Sequence, residues 1–230
     1  MKSHFHASAT YLKHFSEDSS KGRKSKVHVF NKKLNKDQYL PVDKIGIKTG
    51  AFGKKIEEFH NLFEKKYDHF RDLISNRYPS NITTDRLKSG MELLFNYIFR
   101  TNETYDYLKE SYRAYPELVR KYGEDPWHSS EVFPKLFFKL LLKRAYPVTI
   151  RGYPEDEFIT GDNPIVIFRH PYKFVTVYLL PIDRRHIFCL GYYLKKEHLR
   201  CAEIYINQAE IITENVNVWI KFQADTHYII

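Results

Sequence analysis

The hydrophobic period of this chain changes twice, and those changes constrain its fold more than any single motif. From about Lys55, Ile56, Phe59, Phe63, Tyr67, Phe70 and Ile74 recur at spacings of three and four, the stripe of an amphipathic helix. Tyr78-Pro79-Ser80-Asn81 closes it. Thr84-Asp85 reads as the cap of a second helix over about 85–100, with Leu87, Met91, Leu94, Phe95 and Ile98 inside. A third helix is expected near 103–122, kinked or split by Pro116, and a fourth over about 130–144. After Pro147 the texture turns to short runs of Val, Ile, Phe and Tyr: 148–150, 158–160, 165–168, 174–180 and 186–190. The last stretch mixes helical spacing with β-formers, and a helix over 199–216 is expected there. Ahead of the first helix, 16–26 reads as loop, Val27–Phe30 as a strand, 31–38 as a turn and 39–48 as holding another short extended piece. Helices gathered in the middle and strands after them predict an α+β fold, the helices packed on a mainly antiparallel sheet, in one domain spanning 1–230.

Charge is distributed unevenly. Residues 1–55 hold 13 Lys/Arg against 4 Asp/Glu, a balance of +9 that equals the net charge of the whole chain. A basic segment of this kind favours a polyanion, either nucleic acid or an acidic protein. Two cysteines, Cys189 and Cys201, cannot by themselves make a disulfide framework or a zinc site, and they fit a reducing compartment. The most apolar run, Leu136–Leu142, is too short to span a bilayer and contains Lys139. No apolar leader is visible at the N-terminus. The expectation is a soluble cytoplasmic protein with no membrane partner.

Three constellations could carry chemistry. Phe158-Ile159-Thr160-Gly161-Asp162-Asn163-Pro164-Ile165 reads as strand, turn, strand, with Thr160, Asp162 and Asn163 at the tip of a hairpin. An Asp there can make an Asx-turn with its own backbone, or, held rigidly, serve as a base or metal ligand. His4 and His6 share one face of an extended segment, and an imidazole near neutral pH can transfer a proton. Glu57, His60 and Glu64 share one face of the first long helix, beside its apolar stripe. Glu-x-x-His is also the spacing of carboxylate-bridged di-iron bundles, but no second copy of the motif is found. The reading taken for this face is a solvated polar surface with its carboxylates near cations. Arginines and aromatics are scattered beyond these, Arg100 among them. No phosphate-binding glycine loop, dinucleotide fingerprint, zincin motif or nucleophile elbow occurs.

The chain resembles a bacterial family described as domain of unknown function 4238. The similar elements are His6–Ser16, running through Tyr11-Leu12 into Phe15-Ser16; Ile56-Glu57 with Glu64; and Phe158–Ile165, matching Phe-Ile-Thr-x-Asp-Asn-Pro-Val/Ile. Leu180-Pro181-Ile182 and Ile206-Asn207 follow in the same order. Ser8 stands where the family has Pro, so either His4 or His6 is the counterpart of the family's His. The resemblance implies a single α+β domain of bacterial or phage type and implies no activity.

Two functions follow as expectations. The first is a nucleic-acid-acting, ribonuclease-like enzyme, with His6, Asp162 and Asn163 catalytic and His4, Glu57, Arg100 and Thr160 binding the ligand. There His6 or His4 transfers a proton, Asp162 orients it or holds a metal, and Asn163 and Arg100 stabilise phosphate. The second is a non-catalytic regulatory protein that recognises an acidic partner. No cofactor or metal is assigned by the sequence.

Overall fold

A computed structural model of the protein describes residues 2–4, 7–49, 54–75, 84–100, 106, 110, 112–124, 145–151, 157–170, 175–193 and 213–230. Most of the expected 199–216 helix, all of 130–144, His6 and Cys201 lie outside the described residues. Strand β1 (Lys2–His4) pairs antiparallel with β4 (Ile47–Thr49), His4 opposite Ile47. A short helix α1 (Ala9–Leu12) follows β1, capped by the Ser8 hydroxyl, which accepts from the Tyr11 N–H. A 3-10 turn, Lys13–Phe15, follows α1, and a second, Ser19–Lys24, occupies about half of the expected 16–26 loop. Strands β2 (Lys26–Asn31) and β3 (Lys36–Pro41) form a hairpin, so the chain resumes extended structure earlier than the sequence suggests.

The apolar stripe from 56 to 74 spans two helices, α2 (Lys54–Glu64) and α3 (Tyr67–Ser75), instead of one. The Lys66 N–H bonds to Phe63 O, a 3-10 closure that ends α2, and the Phe70 N–H returns to Lys66 O to open α3. Helix α4 (Thr84–Ile98) matches its expected span. Pro116 sits at the start of α5 (Pro116–Tyr122), where its missing N–H costs nothing, and it splits the helical run as its chemistry requires.

Two four-stranded antiparallel sheets are present among the described residues. One has the order β5 (Ala145–Arg151), β9 (His186–Tyr193), β8 (Val175–Pro181), β7 (Val166–His170). The other has the order β3, β2, β10 (His227–Ile229), β6 (Thr160–Gly161). The expected hairpin over 158–168 is therefore not a hairpin. Its first arm, β6, pairs with β10, while its second arm, β7, pairs with β8. The Asp162-Asn163-Pro164 turn carries the chain from one sheet to the other. Helix α6 (Thr213–Gln223) runs past the expected limit, so Val216, Val218, Trp219 and Ile220 are helical. Tertiary packing has overridden their β propensity.

Alternation along β8 and β9 divides the core. Leu180, Phe188 and Leu190 face a larger cluster with Phe59 of α2, Tyr67 and Phe70 of α3, and Leu94, Phe95 and Ile98 of α4. Val177, Leu179, Ile187 and Cys189 face Val216 and Ile220 of α6. Val27, Val29 and Ile229 bring the second sheet onto the larger cluster. This is an α+β arrangement with helices on antiparallel sheets. Among the described residues no helix is long and apolar enough to cross a membrane.

Candidate functional site

The polar face of α2 is buried. Glu57, His60 and Glu64 keep 7%, 2% and 9% of their surface exposed, so the solvated-face expectation is overturned. They are covered by the end of α4 and the turn after it, where Asn96 and Arg100 are also buried. His60 Nδ1 lies 2.5 Å from Asn96 Oδ1, and an Arg100 guanidinium N–H donates to Glu64 Oε1 at 2.5 Å. His60 and Glu64 are four apart on α2, so these two contacts lie about one turn apart along that helix. Burial holds the His60 imidazole well below its ordinary value, and the Arg100 charge lowers it further, against the pull of Asn96. His60 is therefore neutral at pH 7. With Asn96 Oδ1 as acceptor, Nδ1 carries the proton and Nε2 the lone pair. Glu57 Oε1 and Asn96 Nδ2 are buried with no hydrogen-bond partner among the described residues. Orphaned buried polar atoms are costly, and they mark where a ligand's donor and acceptor could be met.

A second polar group adjoins the first through Tyr97, next to Asn96. Its phenol shares a hydrogen bond with Ser8 Oγ at 3.0 Å. Burial raises this phenol, and the Glu64 carboxylate raises it further. The Tyr11 hydroxyl donates to Pro181 O at 2.8 Å and meets Thr160 Oγ1 at 2.6 Å. Since the single Tyr11 proton goes to a carbonyl, Thr160 is the donor in that second bond. The Tyr11 ring packs against those of Tyr67 and Tyr97 at centroid distances of 5.4 and 5.2 Å.

Asp162 has a different setting. Its Oδ1 accepts from the Asp225 N–H at 2.9 Å, and its Oδ2 from the Thr226 and His227 N–H groups at 2.9 and 3.0 Å. It thereby holds the turn between α6 and β10. Burial raises its carboxyl above the ordinary value, against these three bonds, which lower it. Asn163 donates weakly to Gln223 O at 3.4 Å, and Gln223 returns bonds to Asn163 O and Ile165 O. Gly161 is needed for close approach: a Cβ there would lie 3.0 Å from His227 O and 3.2 Å from Ala224 Cβ.

Of the residues singled out by sequence, Glu57 and Arg100 lie in the α2–α4 layer. Thr160, Asp162 and Asn163 lie around β6. His4 sits opposite Ile47, beside Gly46, whose Cβ position is 3.4 Å from Asp162 Cβ. His6 lies outside the described residues. Sequence reasoning missed Asn96, Tyr97, Ser8 and Tyr11. The legible signal was Asn96 inside the apolar run 93–99, with Arg100 directly after it. Among the described residues no group of three or more His, Cys, Asp or Glu side chains is placed to hold a metal ion.

No curated protein and no solved structure matches the chain. The matching family model is the one described as protein of unknown function (DUF4238), and it covers residues 7–230, including every buried polar group named above. The chain belongs to that family.

Proposed function

We propose that the protein is an acid–base enzyme acting on nucleic acid, with ribonuclease-like chemistry centred on the α2–α4 polar layer. The observation that carries this reading is neutral His60 beside an orphaned carboxylate oxygen of Glu57 and an orphaned amide N–H of Asn96, with the Arg100 charge one turn away. In this reading Nε2 of His60 takes the proton of a ribose 2′-hydroxyl as that oxygen bonds to phosphorus. The bond from phosphorus to the 5′-oxygen breaks, and His6 returns a proton to that oxygen. Asn96 and Arg100 face the phosphoryl oxygens, and Glu57 accepts a hydrogen bond from the sugar. Asp162 and Asn163 then act as positioning residues, because the Asp162 oxygens are bonded to backbone. Thr160 positions Tyr11, and His4 joins the ligand-binding groups. The basic N-terminal quarter draws in the polyanion.

The test is cleavage of labelled RNA and DNA, with and without divalent metal, by the wild type and by His60→Asn, Glu57→Gln and His6→Ala. RNA cleavage is expected to fall at least ~100-fold in His60→Asn, with a melting temperature close to that of the wild type. A wild type that leaves RNA intact, or a His60→Asn variant that cleaves as well as wild type, overturns the proposal. If His60→Asn and Glu57→Gln alter only the melting temperature, the layer is a packing device. A second reading, a non-catalytic protein recognising an acidic partner, is favoured by the exposed Trp219 and Phe222 of α6, whose rings stand edge-on at 5.8 Å. Pull-down of an acidic protein with no turnover of nucleic acid supports it.

A further inference from the structure

We infer that the outer face of the β3-β2-β10 sheet is a docking surface for single-stranded nucleic acid. The pleat places Val27, Val29 and Ile229 in the larger core cluster and turns Lys26, His28 and Phe30 to the other face, where Tyr228 packs at the edge of the smaller cluster. His28 lies directly across from Tyr39, and their rings stack at 4.7 Å and 10°. Phe30 lies across from Tyr228, stacked at 5.3 Å and 25°. Tyr39 is 62% exposed, and His28, Phe30 and Tyr228 are half-buried. Two stacked ring pairs therefore stand two residues apart along β2, about 6.6 Å at the usual strand rise. An unstacked single strand can follow such a step, whereas a duplex keeps its base faces covered.

Charge completes the surface. Lys26 lies on the same face, Lys33 lies in the hairpin turn, Lys36 opens β3 opposite Asn31, and all three are exposed with no ion pair among the described residues. Lys221 of α6 lies over the Tyr228 ring at 5.8 Å. Lys32 does not contribute, because its ammonium bonds to Phe222 O and Ala224 O at the end of α6. Asp37 opposes the trend: it lies across from Phe30, 3.9 Å from His28. Exposed rings beside cations bind single strands by stacking and by neutralising phosphates, with little sequence preference. A flat acidic protein surface would use the lysines but gain nothing from the rings.

The inference deepens the reading above by giving the polyanion a place to lie, and it is tested by binding alone. Fluorescence anisotropy of a labelled 12-nucleotide RNA, the same sequence as DNA, and its duplex measures affinity for the wild type, Tyr39→Ala, Tyr39→Phe and the Lys33→Ala/Lys36→Ala double variant. Single strands are expected to bind more tightly than duplex. Tyr39→Ala should weaken binding by roughly tenfold or more, and Tyr39→Phe should retain it. The lysine pair should reduce the slope of log affinity against log salt by about 0.7 for each phosphate that is no longer neutralised. Because Tyr39 is exposed, its variants fold, and a circular dichroism melt checks this. Equal affinity for duplex, equal competition by poly-glutamate, or an unchanged Tyr39→Ala overturns the inference. Binding without turnover leaves it standing and removes the enzymatic reading. Turnover with no effect of Tyr39→Ala on binding removes it alone.

Discussion

A carboxylate at a turn can be a reagent or a fastener, and Asp162 shows how its neighbours decide. It accepts three backbone N–H groups from a segment more than sixty residues downstream. Removing it would strand those donors in a half-buried turn, so Asp162→Ala is expected to cost about 3 kcal/mol or more in chemical denaturation. Asp162→Asn keeps one acceptor oxygen and should cost less. A loss below about 1 kcal/mol for Asp162→Ala would show that the turn holds without this anchor. His60 is the opposite case. Its Nδ1 is held by Asn96, and the neutral imidazole is fixed by burial.

At the scale of elements, tight approach matters more than propensity. Gly90 of α4 sits where α3 and β9 converge. A Cβ there would collide with the Phe70 ring and reach 3.0 Å from Phe188. These two rings meet edge-on at 5.4 Å, so neither can withdraw without disturbing the other. Gly90→Ala gains helix propensity yet is expected to destabilise the protein by roughly 1–3 kcal/mol through overpacking. A stabilised Gly90→Ala would mean that Phe70 can swing aside. The N-terminal segment is tied in by side chains instead. Lys13 and His14 each contact Asp68 of α3 at 2.7 Å, and Arg184 donates twice to Phe15 O. This brings Ser8 and Tyr11 against α4 and β6, where their hydroxyl bonds reach Tyr97 and Thr160.

For the whole molecule, buried histidines set a pH dependence. Burial lowers His14, His60 and His227 below the ordinary value of 6.5. The unfolded chain therefore binds more protons than the folded one as pH falls through about 6.5. Stability is expected to be full above that value and to decline as pH drops towards the folded-state values. Urea unfolding at about pH 7.5 and about pH 5.5 should show lower stability at the acid end, and His60→Asn should narrow the difference. Equal stability at both values would mean that these imidazoles take up protons with the packing intact.

The sequence by itself determined the local elements. The three-and-four spacing of apolar residues makes α4, the alternation of 26–31 makes β2, and Pro116 starts α5, because each depends on side chains a few positions apart. It also determined the basic excess of the N-terminal quarter and the short motifs that place the chain in its family. Tertiary structure alone decided that β6 pairs with β10 and not with β7, that the Glu57-His60-Glu64 face is buried under α4, and that α6 absorbs a run of β-formers. Each of these outcomes depends on a partner 36 or more residues away, such as His60 with Asn96 or Asp162 with His227. Such a pairing is selected by the packing of the whole core, so neither segment carries its signature alone.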